Sequence, residues 1–302
     1  MAIAFAAVVA SAISAAGPGG PLEGTLLDVG KNAPVVLVIP GSGPTNRDGN
    51  NPLGVTAAPY RLLAEALGQK SVSTVRIDKR GMFGSKAAIP DANKVTIDDY
   101  AADTHAWVKA IRARTGAKCV WVLGHSEGGL VALDSAQKPE GICGVILVSA
   151  AGRKLGDILR EQLRANPANA PLLSDALAAI ASLEAGKAID VAAMPAALQR
   201  LFAPQVQPFL INQMAMDPAR LAASTKVPML IVQGGRDLQV SETDAKDLAA
   251  AQPKAKLVLI PAMNHVLKDV ASDDRAANVA TYADPSIPVD SRLVGAIADF
   301  VR

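Results

Sequence analysis

Short apolar runs rich in Val and Ile recur along the chain: VVLVIP, VSTVRI, CVWVL, GVILV, VPMLIV and AKLVLI. Each is closed, directly or within a few residues, by Gly, Asp or Pro and is followed by a longer helical pattern, a rhythm that predicts a parallel sheet wound with helices. The runs are continuously apolar rather than alternating, so both sheet faces should be covered, as for parallel strands between helix layers. Residues Ala57 to Leu67 read as a helix with Leu62, Leu63, Ala66 and Leu67 on one face and Gly68 as its stop. A second starts at Thr96, a side chain able to cap, with Asp98 and Asp99 in its first turn, and runs through Trp107 and Ile111 to Gly116. A third begins inside GHSEGG, Gly124 to Gly129.

From about 153 to 224 the rhythm stops, and the chain becomes Ala-rich, helix-like and repeatedly broken by Pro and Gly. A block of this kind between two strands of one sheet reads as a helical lid insertion over the carboxyl ends of the strands, where open α/β sheets bind ligands. The fold class expected is therefore α/β: a mostly parallel central sheet, helices on both faces and a lid insertion, in one domain from residue 17 to 302.

Composition narrows the function. With 302 residues and half of them hydrophobic, the chain can bury a large core. Thirty basic residues against 28 acidic ones, with no Lys/Arg cluster, argue against nucleic-acid binding. Aromatic residues are 3% of the chain, too few for stacking platforms. The first sixteen residues, MAIAFAAVVASAISAA, resemble the apolar region of a secretory signal with a Ser14-x-Ala16 cleavage site, although no Lys or Arg precedes them. They are too short to span a bilayer, so a periplasmic or secreted protein without integral membrane association is expected. Cys119 and Cys143 each open a predicted strand and read as two small buried hydrophobes, because adjacent parallel strands rarely suit a disulfide.

The candidate chemistry centres on Ser126. A serine hydroxyl needs a base, a group that orients the base, and donors for the oxyanion that forms. Gly-x-Ser-x-Gly at a strand-to-helix turn presents the serine in a strained conformation, and Gly124 and Gly128 flank it at the required spacing. Three histidines are available. His105 lies inside a helix, and His125 adjoins the serine with its side chain expected to point away and support the turn. His265, on the loop after AKLVLI, is left as the base. Asp237, on the loop after MLIV, is the orienting acid, with Glu242 and Asp244 behind it as alternatives that read better as first-turn acids of the next helix. The oxyanion donors expected are the backbone N–H groups of Glu127 and of Ser42 in PGSGPTNRDGN, with Gly43 as an alternative. Arg47 and Asp48 read as an ion pair pinning that loop, RIDKRGMFGS as a structural turn, and the Glu127 side chain as an acid held by the helix dipole.

PGSGPTNRDGN, RIDKRGMFGS, GHSEGG, VQPFLINQMAMDPA, GGRDLQV and MNH together resemble the α/β-hydrolase superfamily, and more closely its bacterial serine esterases and aminopeptidase-like hydrolases carrying a secretion signal. The resemblance extends from about Leu22 to the end, and the order Ser126, Asp237, His265 is the superfamily's order. It implies carboxylic ester hydrolysis through an acyl-enzyme, a small-molecule ester substrate and no cofactor; a monomer or small homo-oligomer is expected. Two departures stand out. Pro40-Gly41 replaces the His-Gly of many relatives, and only one strand-like segment, LEGTLLDV, precedes VVLVIP, so the usual antiparallel edge hairpin is expected to be partly absent. The same triad could serve an amide hydrolase, for which Glu161, Asp175, Glu184 and Asp190 could bind a substrate ammonium. A binding protein without catalysis is a third reading, opposed by the intact Ser, Asp and His.

Overall fold

The computed structural model describes residues 9–302. Its strands are β1 (Val9–Ala16), β2 (Pro21–Asp28), β3 (Val35–Ile39), β4 (Ser73–Ile77), β5 (Val120–His125), β6 (Ile142–Val148), β7 (Met229–Gly234) and β8 (Lys256–Ile260). They form a sheet of order β1-β2-β4-β3-β5-β6-β7-β8. β1, β2 and β4 pair antiparallel, and every other neighbouring pair is parallel. The helices are α1 (Pro59–Gly68), α2 (Ile97–Thr115), α3 (Glu127–Ser135), α4 (Leu155–Ala165), α5 (Leu173–Glu184), α6 (Ala196–Leu201), α7 (Gln207–Ala215), α8 (Pro218–Ser224), α9 (Glu242–Ala251), α10 (Arg275–Ala280) and α11 (Ser291–Phe300).

Every residue of β3, β4 and β7 is buried, as their unbroken apolar runs require. One face of the sheet packs against α1 and α11 through Leu63, Leu67, Leu293 and Ile297. The other packs against α2, α3 and α9 through Trp107, Ile111, Val131, Leu133 and Leu248. β8 is the half-exposed edge. α2 starts as its sequence suggests: Thr96 and Asp99 form a reciprocal capping box, and Gly116 ends the helix at φ 75°.

Three expectations change. The edge hairpin is present. Val9–Ala16, the second half of the stretch that resembles an export signal, is the outermost strand, paired with β2 along its whole length. Ile13 and Ala15 are buried while Ala12, Ser14 and Ala16 are exposed, the alternation of a strand covered on one face. Residues 1–8 of that stretch lie outside the described residues. The cysteines are also not two buried thiols: Cys119 and Cys143 form a disulfide, with Cα atoms 5.2 Å apart. The register between β5 and β6 shifts here. Val120 faces Ile142 and Trp121 faces Gly144, so Cys143 has no partner in the ladder and can turn toward Cys119. Replacing both cysteines by serine should lower stability by about 2–4 kcal/mol, since the bond closes a segment with a sequence separation of 24. Urea unfolding without reductant checks this, and an unchanged midpoint would show that the bond adds nothing.

Third, Arg47 and Asp48 do not pair with each other. Consecutive side chains diverge, and each finds a partner on or just after β4. Arg47 bonds Asp78 at 2.6 Å, and Asp48 accepts from Arg76. The loop after β3 is thus fastened to its neighbouring strand.

The insertion between β6 and β7 contains α4 to α8, and α5, α6 and α7 pack around a core of their own that includes Ile180, Leu183, Leu198, Phe202 and Met214. Polar bonds join it to the sheet domain. Asn212 Oδ1 accepts from Ile97 N–H at 2.9 Å, and Gln162 donates to the Gln239 carbonyl at 3.0 Å.

Candidate active site

Chain order reverses direction beside β3: β4 lies on one side and β5 on the other. The loops that leave the carboxyl ends of β3 and β5 therefore diverge around a crevice, the usual ligand position in such sheets. The loop after β3 is PGSGPTNRDGN, and the turn after β5 holds Ser126.

Ser126 has φ 54° and ψ −122°, a strained conformation for a residue with a Cβ. Its glycine neighbours explain how the chain can turn so sharply. A Cβ on Gly124 would stand 2.0 Å from the Gly128 carbonyl oxygen, and one on Gly128 would stand 2.4 Å from that of Ile39. The turn is held from below by a bond from Ser126 N–H to the Val148 carbonyl at 3.0 Å.

Asp237 and His265 meet as the sequence suggests, on the loops after β7 and β8. His265 Nδ1 bonds Asp237 Oδ2 at 2.8 Å, and the Asp237 side chain is fully buried. Asp237 Oδ1 accepts the backbone N–H groups of Gln239 and Val240 at 2.8 and 2.9 Å. Burial alone would raise the Asp237 pKa, but the His265 interaction and the backbone bonds outweigh it and hold the carboxyl below its ordinary value. The carboxylate accepts, so Nδ1 carries the proton and Nε2 keeps a lone pair. Ser126 Oγ is not hydrogen-bonded to His265 in this structure. The two are linked through His125, whose ring lies 4.8 Å from that of His265.

His125 supports the turn in a specific way. Gly41 N–H donates to Tyr60 Oη at 3.1 Å, Tyr60 O–H donates to His125 Nδ1 at 2.8 Å, and His125 Nε2–H donates to the His265 carbonyl at 2.9 Å. Burial, followed by electrostatic repulsion from the neighbouring His265 ring, pushes the His125 pKa down to about 3, so its ring stays neutral and can both accept and donate. Burial also keeps Tyr60 well above the ordinary tyrosine range, and it remains a donor. The loop after β3 and the backbone of His265 are thereby tied to one chain of bonds. His105 sits in α2, away from these groups.

The backbone N–H groups of Ser42 and Glu127 donate to no acceptor among the described residues. Glu127 is the first residue of α3, so its N–H has no partner within the helix. Gly41 lies against the serine: a Cβ there would be 3.2 Å from Ser126 Cβ. The Glu127 side chain is not held by the helix dipole alone, because Lys79 bonds it at 2.9 Å in the interior. RIDKRGMFGS is therefore more than a structural turn: it brings Lys79 to the serine turn, and Arg80 anchors it to Asp103 of α2 at 2.6 Å.

Tyr60, Lys79 and Gln233 were not singled out in the sequence. Gln233 Nε2 approaches Asp237 Oδ2 at 3.3 Å from inside β7. A polar residue in the otherwise apolar MLIVQG was the available signal for it, and a lysine directly after VSTVRID was the signal for Lys79. Tyr60 in PYRLL carried none. The alternative acids are engaged elsewhere. Asp244 closes a capping box with Ser241 and bonds Arg153 at 2.8 Å, and Glu242 bonds Lys246 at 3.0 Å on the surface.

Ser126 opens onto a cavity of about 930 Å³ between the sheet and the insertion. Its walls are largely apolar, with Leu130, Leu155, Ile158, Phe202, Phe209 and Met216 among them, and Ser42 and Glu127 border it beside the serine.

A family model described as serine aminopeptidase, S33, matches residues 53–269, a span that includes the serine turn, Asp237 and His265. The chain belongs to the S33 serine aminopeptidase family. This S33 family member has the α/β-hydrolase fold. It is 27% identical over 283 residues to the esterase EstD of Thermotoga maritima, a match covering 88% of this chain and 61% of EstD, so the chain spans about three fifths of that relative. Among solved structures, it resembles the Pyrococcus furiosus esterase Pf2001 at TM-score 0.58 and 17% identity, over 98% of this chain and 94% of the other. It also resembles a thermophilic esterase from Thermogutta terrifontis at TM-score 0.57 and 17% identity, over 97% and 98% of the two chains. The enol-lactonase of Burkholderia xenovorans aligns at TM-score 0.54 and 20% identity, over 94% and 99%. For this S33 family member these structures establish the fold.

Proposed function

We propose that the protein is a serine carboxylesterase that cleaves esters of small to medium acyl chains through an acyl-enzyme. Ser126 is the nucleophile, His265 takes and returns its proton, and Asp237 orients the imidazole and stabilises its cation. The N–H groups of Glu127 and Ser42 receive the oxyanion. The observation that carries this reading is the buried Asp237–His265 pair beside a strained serine that opens into an apolar cavity. The cavity falls within the range of small-molecule sites, roughly 300–1,000 Å³.

The charges around the cavity favour an ester over a peptide with a free amino terminus. An α-ammonium needs an unpaired acid, and the one carboxylate on the wall among the described residues, Glu127, is already bonded to Lys79. Glu161 pairs with Arg153 and Glu184 with Arg160, and neither they nor Asp175 and Asp190 line the cavity. The esterases to which the chain is similar support the same choice. Export to the periplasm or beyond is part of the proposal, because the Cys119–Cys143 bond suits an oxidising compartment.

A fluorophosphonate probe tests nucleophile, base and oxyanion donors together. It should label one site, and peptide mapping should place it on Ser126. Absence of labelling, or labelling of another serine, would overturn the assignment.

A further inference from the structure

The Lys79 side chain is buried and borders the cavity, and its ammonium has two oxygen partners. Nζ donates to the Gly41 carbonyl at 2.7 Å and to Glu127 Oε1 at 2.9 Å, and it stands 5.0 Å from the centre of the Tyr100 ring. The two oxygen partners lie at the two donors of the oxyanion site. Gly41 C=O and Ser42 N–H are the two ends of one peptide group, and Glu127 carries the other donor on its own backbone.

We infer that Lys79 is a positioning residue of the oxyanion hole: its ammonium polarises the Gly41–Ser42 peptide from behind and, through Glu127, fixes the distance between the two N–H donors. The inference rests on the esterase reading above. A cation bonded to a carbonyl draws electron density from the amide nitrogen and makes the N–H at the other end a stronger donor, as in any chain of polarised hydrogen bonds. The bond also fixes the plane of that peptide, and Tyr60 fixes the preceding one through Gly41 N–H. A loop that contains glycine at 41 and 43 would otherwise have to be ordered at the moment of reaction. The gain is specific to the transition state, because the oxyanion bears a charge that the ester carbonyl lacks.

Lys79→Met keeps an unbranched side chain, shorter by the terminal nitrogen, and removes the donors. Because it leaves the Glu127 carboxylate without a partner in the interior, a second variant, Lys79→Met with Glu127→Gln, removes both charges together. Near-UV circular dichroism establishes the folded state of each. Removing an oxyanion donor outright costs about 10²–10³ in kcat, so losing its support should lower kcat for p-nitrophenyl butyrate about 10- to 100-fold in both variants, with KM within about threefold. Affinity for an alkyl boronic acid, which forms a tetrahedral adduct on serine, should fall by the same factor, whereas butyrate should bind as before. Lys79→Arg, which restores a charged donor, should recover part of the loss. A lysine that served only to neutralise Glu127 would let the double variant return to wild-type kcat, and that result overturns the inference. A loss confined to KM, or boronic acid affinity unchanged while kcat falls, overturns it too. Wild-type enzyme run alongside tests the esterase reading by itself, so a variant that matches an active wild type counts against Lys79 alone.

Discussion

Ser126→Ala should fold as the parent does and lose its p-nitrophenyl acetate and butyrate turnover by about 10⁴-fold or more, the scale on which loss of a triad serine acts. The strain at φ 54° belongs to any residue with a Cβ, so alanine inherits it and thermal stability should change little. The bond from the backbone N–H of residue 126 to Val148 also survives. What disappears is the oxygen that attacks. KM for the ester should stay within a few-fold, because the cavity walls are untouched. Turnover near that of the parent protein would show that another group performs the attack.

Asp237→Asn should cost roughly 10⁴ in kcat, and the hydrogen bonds around Asp237 show why. Oδ1 already accepts two backbone N–H groups, and Oδ2 accepts from His265 Nδ1 and Gln233 Nε2. All four partners are donors. An asparagine must set its own NH₂ against two of them, and the orientation that keeps the two backbone bonds points that NH₂ at His265. The imidazole then takes the other tautomer, with Nε2 protonated and unable to receive the serine proton. Stability should fall as well, because a buried donor faces Gln233 without an acceptor. Glu242→Gln is the matched comparison: its partner Lys246 lies on the surface, and activity should be close to that of the parent. Equal losses in the two variants would overturn the choice of acid.

These expectations depend on features that the sequence reveals unevenly. The central strands are legible because burial on both faces leaves an unbroken apolar run, and the serine turn because its glycines have no substitute at that spacing. Asp237 and His265 are legible because loops at the carboxyl ends of neighbouring strands must converge. β1 is harder, since small apolar residues broken by serine read equally well as an export signal and as an edge strand; the strand becomes visible in the alternating burial of Ile13 and Ala15 and the pairing with β2. The disulfide depends on a one-residue shift of register between β5 and β6, which no composition records. Arg47 and Asp48 show the limit of reading neighbours as partners, because residues adjacent in sequence point apart and bond to Asp78 and Arg76 instead. Tyr60, Lys79 and Gln233 reach the site through long-range packing, and their local patterns are those of ordinary helix, turn and strand residues.

The separate core of the insertion has a consequence for how this protein can change. Leu155, Leu159 and Leu210 line the cavity and pack against the Phe202 and Ile180 cluster rather than against the sheet. This part of the cavity wall and the machinery that would cleave a substrate therefore rest on different foundations. Substitutions in the one can reshape the acyl pocket, and spend only that small core's stability, while the alignment of Ser126, His265 and Asp237 stays as it was. A library confined to these leucines should diversify chain-length preference faster than it erodes activity.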